Sequence, residues 1–435
     1  MGVVGVRSDL GKWLSFEISN MDMFKKKALQ WAMSFDVFSF LEHNNISYPN
    51  QPFENLLAVG VKSTCSFEQG DTFETLQKFH NLQKSWLFGF FTYDLKNEVE
   101  DLESHNPDSV DMPKAHFFQP KHLFRFSDTH VDLLTDENHE EIISQIEKLN
   151  FEEKNTAFQI PVTQKINRDR YLEKVRKVQQ HIVEGDVYEL NFCMEFFAEE
   201  VNEDPLDFFL QLNALSPMPF ASFLRVHDKF LISASPERFL RKIGQKLITQ
   251  PIKGTIRRGK DAEEDKLLRY QLRNDEKEIA ENMMIVDLVR NDLARSSHFG
   301  TVKVAELFGI YAFRQVHQMI TTVESQLREE YGFATAIKNA FPMGSMTGAP
   351  KVMSMELIEK YEESKRGLYS GSVGYITPEG DFDFNVVIRS LQYNTSNKYL
   401  SFQVGGAITI DAVPEKEYEE CLLKAKAIMN LLNQK

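Results

Sequence analysis

At 435 residues the chain can bury a large core and exceeds the usual size of one compact unit, so one elaborate domain or two intertwined ones are expected. A net charge of −14 argues against a nucleic-acid or anionic-membrane surface. Cys65, Cys193 and Cys421 are widely spaced and form neither a disulfide framework nor a zinc pattern.

Met1 to Leu10 lacks a basic region followed by a long apolar core, and no run of about 18 apolar residues occurs elsewhere, so a cytoplasmic protein without membrane contact is expected. The abundant phenylalanines fall in strand-like runs such as Trp86 to Tyr93 and Ala115 to Phe118. A helix is predicted over Asp132 to Lys148, leading into a polar connector, Asn150 to Ala157. The connector places a boundary near residue 160, between an amino-terminal region, 1–160, and a second region, 161–435. Beyond it, Leu172, Val175, Val178 and Ile182 recur at helical spacing over Asp169 to Glu184, with Gly185 as a stop.

Lys229 to Leu240 and Lys246 to Gln250 read as two short strands and a hairpin, which puts Glu237 and Lys253 near one end of a sheet. Lys253 stands between a proline-stiffened approach, Pro251-Ile252, and Gly254: it is a candidate nucleophile or a surface lysine in a turn. From Glu276, a helical stripe of Glu278, Glu281, Ile285 and Leu288 aligns two carboxylates with an apolar face. His317, with apolar neighbours, has the surroundings of a hydrogen-bonded core residue. Arg389 ends a β-branched strand, Asp383 to Ser390, and a guanidinium grips a carboxylate through two parallel hydrogen bonds. In Gln403 to Ile408, Gly405 and Gly406 let the main chain approach an anion. The last helix begins at Pro414 and sets Glu417, Glu420, Lys424, Ile428 and Leu432 on one face. Two inward acidic pairs invite a divalent cation such as Mg²⁺; two solvated helix starts, stabilised by the helix dipole, are the alternative. There is no dinucleotide fingerprint, phosphate loop or short βαβ repeat, so the expected fold is α+β with large, mostly antiparallel sheets.

Six motifs in order resemble the chorismate-utilising enzymes: Ser235-Pro-Glu-Arg-Phe239, Pro251-Ile-Lys-Gly-Thr255, Lys277-Glu-Ile-Ala-Glu281, Val286-Asp-Leu-Val-Arg-Asn-Asp292, Gly344-Ser-Met-Thr-Gly-Ala-Pro-Lys351 and Glu417-Tyr-Glu-Glu420. Gly89-Phe-Phe-Thr-Tyr-Asp-Leu95 is similar to the family's weaker amino-terminal signature. The resemblance implies sheets packed face to face with helices outside, and an amino-terminal segment interleaved with a chorismate-binding catalytic domain. It also implies Mg²⁺ held by Glu281 and Glu420, with Glu278 and Glu417 as water-mediated or alternate neighbours.

Arg389 and Tyr369 match the family's substrate-binding pair, and His317 and Ser345 match residues beside the reacting ring. Ala407 departs from the usual glycine of the Gly405-Gly406 loop, and Lys424 either completes the carboxylate site or neutralises the acidic cluster. Lys253, in place of an alanine, marks the type that aminates chorismate at C4 to 4-amino-4-deoxychorismate, on the route to para-aminobenzoate and folate. The alternative is amination at C2 with pyruvate release. In the C4 chemistry a neutral Lys253 attacks C2 while Glu237, as general acid, protonates the leaving hydroxyl. Mg²⁺ and Arg389 are expected to disfavour the charged lysine, with the surrounding carboxylates opposing that shift. No cysteine has the Gly-x-Cys-x-Gly setting of a glutaminase, so ammonia is expected from a partner glutamine amidotransferase, and no fused lyase is expected. Phe40-Leu-Glu-His43 lacks the serine of a tryptophan-sensing element, which argues against tryptophan feedback.

Overall fold

The computed structural model describes residues 12–65, 67, 71–154 and 157–433. The amino-terminal ten residues, where no leader was expected, lie outside them. Twenty strands among the described residues join into one hydrogen-bonded network, with eleven α-helices. The fold is α+β, and the pairings around the site are all antiparallel. Strands from early in the chain lie inside this network: Val37–Glu42 pairs with Phe220–Val226, and Leu87–Phe91 pairs with Ser372–Ile376. No helix among the described residues is long and apolar enough to cross a membrane.

Local signals set the helix ends. Asn167 caps Arg168–Glu184 through its side chain, and Gly185 ends that helix at φ 88°, with Leu172, Val175 and Val178 buried. Three expectations need correction. The segment predicted as a helix from Asp132 begins instead as a strand, His130–Thr135, paired on both sides, and the helix runs only over His139–Lys148 after the Asn138 cap. Buried Val131, Leu133 and Thr135 alternate with more exposed neighbours, which is strand periodicity. Likewise, Lys229 to Leu240 is broken at Pro236-Glu237 into Lys229–Ser235 and Arg238–Ile243. The first half pairs with Phe220–Val226 and Ser390–Asn394, the second with Lys246–Gln250 and Phe382–Asn385, so partners change at the break. Finally, Asp383 to Ser390 is interrupted after Asn385, and Arg389 sits at φ 52° outside any strand.

The break is fixed by a buried ion pair. Arg238 Nε donates to Asp383 Oδ1 and Nη2 to Asp383 Oδ2, both at 2.9 Å. Arg238 is 1% exposed and Asp383 fully buried. The same guanidinium donates to Gln250 Oε1 and to the carbonyl of Gln51, binding the next strand and an early loop to the same point. Phe239, Phe341 and Phe384 belong to the same hydrophobic cluster as Ile285, Val286 and Val289 of the helix Glu276–Ala294. Asp383→Ala should lower stability by about 3–5 kcal/mol, because it strands a buried guanidinium. Urea unfolding followed by tryptophan fluorescence measures this.

Candidate active site

Glu237 lies in the strand break, 4% exposed. Its amide donates to Ser235 Oγ at 3.2 Å and its carbonyl accepts from Val386 N at 3.0 Å, so the main chain is held on both sides. Ser345 Oγ donates to Glu237 Oε1 at 2.7 Å from the turn Gly344–Met346. Burial pushes the Glu237 carboxyl up to about 7, against the Ser345 hydrogen bond, the charge of Lys253, the Ile252 amide and Arg389. A carboxyl near pH 7 donates and accepts protons with equal ease.

Lys253 is the second residue of the strand Ile252–Arg257, at a register shift in its pairing with Val316–Gln326. Its Nζ donates to Glu189 Oε1 at 3.3 Å. Burial lowers its pKa, but Glu189, Glu281 and Glu237 together outweigh burial and hold the ammonium above its usual 10.5. The carboxylates expected to oppose a neutral amine thus prevail in the ligand-free chain, and Glu189 is the one in hydrogen-bond contact. Gly254, at φ 92°, needs its missing side chain: a Cβ there would lie 3.3 Å from Glu278 Oε2 and 3.2 Å from Leu272 Cδ1.

The two acidic helices converge. Lys277 Nζ lies 3.5 Å from Glu281 Oε1 and 3.7 Å from Glu417 Oε1, so one ammonium already bridges Glu276–Ala294 and Pro414–Leu432. A Cβ at Gly406 would meet Glu417 Oε2 at 3.4 Å, Glu420 Oε1 at 3.8 Å and Lys424 Nζ at 3.8 Å. Burial and then the charge of Glu281 push Glu278 up to about 7, and burial with Glu420 pushes Glu417 up. Burial alone would raise Glu420 too, but Lys424, at 2.8 Å, and Lys277 hold it low. The charges of Glu278, Glu281, Glu417 and Glu420 are thus coupled across the two helices, with the Lys277 ammonium between two of them.

The remaining candidates are placed less uniformly. Burial lowers the Arg389 pKa, and Glu237 is the charge that opposes this. Tyr369 is buried, with its hydroxyl accepting from the Cys193 thiol at 3.8 Å. His317 is fully buried on Val316–Gln326, its Nε2 2.9 Å from Asp265 Oδ1, and its Nδ1 has no partner. Gly405 and Gly406 belong to the regular strand Tyr399–Ile408, paired with Glu189–Ala198, which also runs unbroken through Ala407. A Cβ at Gly405 would lie 2.4 Å from Cys193 Sγ, so packing alone requires that glycine. Lys424 Nζ donates to the Gly405 carbonyl at 2.9 Å as well as pairing with Glu420.

A family model for chorismate binding enzymes matches residues 42–430. The chain belongs to the chorismate-binding enzyme family. It is 33% identical over 381 residues to aminodeoxychorismate synthase component 1 of Bacillus subtilis, covering 82% of this chain and 79% of that protein. It is 33% identical over 353 residues to anthranilate synthase component 1 of Thermus thermophilus, covering 78% and 76%. The crystal structure of anthranilate synthase component I from Streptococcus pneumoniae superposes with a TM-score of 0.74 at 25% identity, covering 97% of this chain and 93% of that one.

Two polar residues of this chorismate-binding enzyme escaped the sequence reading. Glu189 is 2% exposed at the start of Glu189–Ala198 and carries the hydrogen bond to Lys253. Asn282, 1% exposed, donates to the Lys253 carbonyl at 3.5 Å and accepts from Thr321 Oγ1 at 2.7 Å. A signal for Glu189 existed: an acidic residue opening a strand of Leu190, Phe192, Met194 and Phe196 needs a buried partner.

The Glu237 pKa has a thermodynamic consequence. Its folded-state value lies above the ordinary 4.5, so the stability tied to its protonated form is full below about pH 4.5 and is lost as pH rises to about 7. Glu237→Gln should therefore be more stable than wild type at pH 8, by up to about 3 kcal/mol, with the gap closing toward pH 4.5. Urea midpoints across that range check it, and a gap that widens on acidification would contradict the assignment.

Proposed function

We propose that this enzyme aminates chorismate at C4, giving 4-amino-4-deoxychorismate, with ammonia supplied by a separate glutamine amidotransferase subunit. One observation carries the reading: Lys253, a partly buried lysine whose side chain is 13% exposed, lies under the electrostatic influence of Glu237, a buried carboxyl pushed up to about 7. That pairing supplies a nitrogen nucleophile and a proton donor in the same site. Relatives named for C4 amination and for anthranilate formation are equally similar over most of the chain, so amination at C2 with pyruvate release is the second reading. Lys253 separates them, because attack at C2 by the protein directs external ammonia to C4.

In the proposed cycle the Lys253 amine bonds to C2, the ring double bonds shift, and the C4 hydroxyl leaves as water with the Glu237 proton. Ammonia then bonds to C4, the double bonds shift back, and the C2 bond to Lys253 breaks. Arg389 takes one substrate carboxylate in a bidentate pair. Ser345 orients Glu237. His317, with Nε2 directed to Asp265, has Nδ1 free to accept a hydrogen bond beside the ring. Glu281 and Glu420, with Glu278 and Glu417 as neighbours, would hold Mg²⁺, which neutralises substrate carboxylate charge.

Incubation with chorismate, Mg²⁺ and ammonium, followed by an aminodeoxychorismate lyase, should yield para-aminobenzoate. Fluorescent anthranilate and pyruvate appearing without the lyase would overturn the C4 assignment. Lys253→Ala should nearly abolish that product, and Glu237→Gln should slow its formation about 10²–10⁴-fold. Glu281→Gln and Glu420→Gln should each remove activity with the fold retained by circular dichroism, whereas full turnover of wild type in excess chelator would refute the metal assignment.

A further inference from the structure

Lys253 poses a problem that the proposed cycle leaves open. An amine must be neutral to attack, yet the carboxylates around Lys253 favour the ammonium. The lysine side chain is only 13% exposed and that of Glu189 only 2%, so bulk water is a poor acceptor for the excess proton. Three carboxylates act on it most strongly, from three parts of the fold: Glu189, Glu281 and Glu237. Glu278 reaches over Gly254 beside it, and Glu420 also feels its charge. Glu237 has to hold a proton for the leaving hydroxyl, and Glu281 faces Lys277. Glu189 is the one that accepts a hydrogen bond from Nζ, at 3.3 Å.

The setting of Glu189 suits proton exchange. Its main chain is fixed: Glu189 pairs with Ala349, and its carbonyl accepts from Ser354 Oγ at 3.4 Å. Its Oε2 is buried without a hydrogen-bond partner. A buried carboxylate oxygen that no donor faces keeps its lone pairs open to a second hydrogen. Moving the Lys253 proton to Glu189 turns a buried ion pair into a neutral pair at constant net charge.

Resting on the C4-amination reading, we propose that Glu189 is the proton store for Lys253. The N–H bond of the ammonium breaks as an O–H bond forms on Glu189, and the freed electron pair of Nζ attacks C2. The adduct nitrogen is left positive with two protons and needs no further acceptor. When ammonia bonds to C4 and the C2–N bond breaks, Nζ leaves as a neutral amine and recovers its proton from Glu189. No external oxidant, reductant or base is required.

The test is the rate of adduct formation with chorismate and Mg²⁺ but no ammonia, followed by quenching and intact mass, for wild type, Glu189→Gln and Glu189→Asp. At about pH 7 the Gln variant should form the Lys253 adduct about 10²–10⁴-fold more slowly than wild type. That deficit should shrink about tenfold per pH unit toward about pH 9, as solvent takes over deprotonation. Comparing variant with wild type at each pH cancels the titration of Glu237. The Asp variant should recover part of the rate with the wild-type pH profile. A Gln variant as fast as wild type at neutral pH, or slowed by one constant factor at every pH, would overturn the proton store while leaving C4 amination standing. Wild type that forms no adduct at Lys253 would overturn the covalent reading itself, and the store with it.

Discussion

The site is organised by the buried pairing of Arg238 with Asp383. A guanidinium at 1% exposure demands an anion and several acceptors, and here those demands select the geometry of everything next to it. Asp383 brings the strand Phe382–Asn385, Gln250 brings the strand that leads to Pro251 and Lys253, and the Gln51 carbonyl brings an early loop. Glu237, one residue before Arg238, has no freedom left once those bonds form. The acid and the lysine are thereby fixed relative to each other through the main chain, before any substrate arrives.

Burial acts oppositely on acids and amines, and the site uses that difference. Glu237 answers to burial and rises to about 7. Lys253, with 13% of its side chain exposed, does not follow the trend, because Glu189 and Glu281 reverse it. The same crowding recurs at the acidic helices, where Lys277 and Lys424 offset carboxylates that would otherwise repel one another.

What the sequence discloses follows the range of the interactions involved. The helix Arg168–Glu184 and the acidic faces of Glu276–Ala294 and Pro414–Leu432 are legible because spacing, caps and stops lie within a few residues. The break at Pro236-Glu237 is not, since strand-forming residues continue on both sides and only a change of partner strands interrupts them. Glu189 shows in the sequence only as an acid in need of a buried partner; the identity of that partner is hidden, since Lys253 lies 64 positions away.

The pairing of early strands with late ones bears on how the chain acquires its site during synthesis. Leu87–Phe91 finds its neighbour Ser372–Ile376 only after nearly three hundred further residues have been made, and Gln159 bridges to Asn433. Until then the phenylalanine-rich edge of Leu87–Phe91 has no partner on that side and is open to association with other chains. Closing such distant contacts slows folding, so the stretch of synthesis between Phe91 and Ser372 is the period in which that edge is exposed to misassociation.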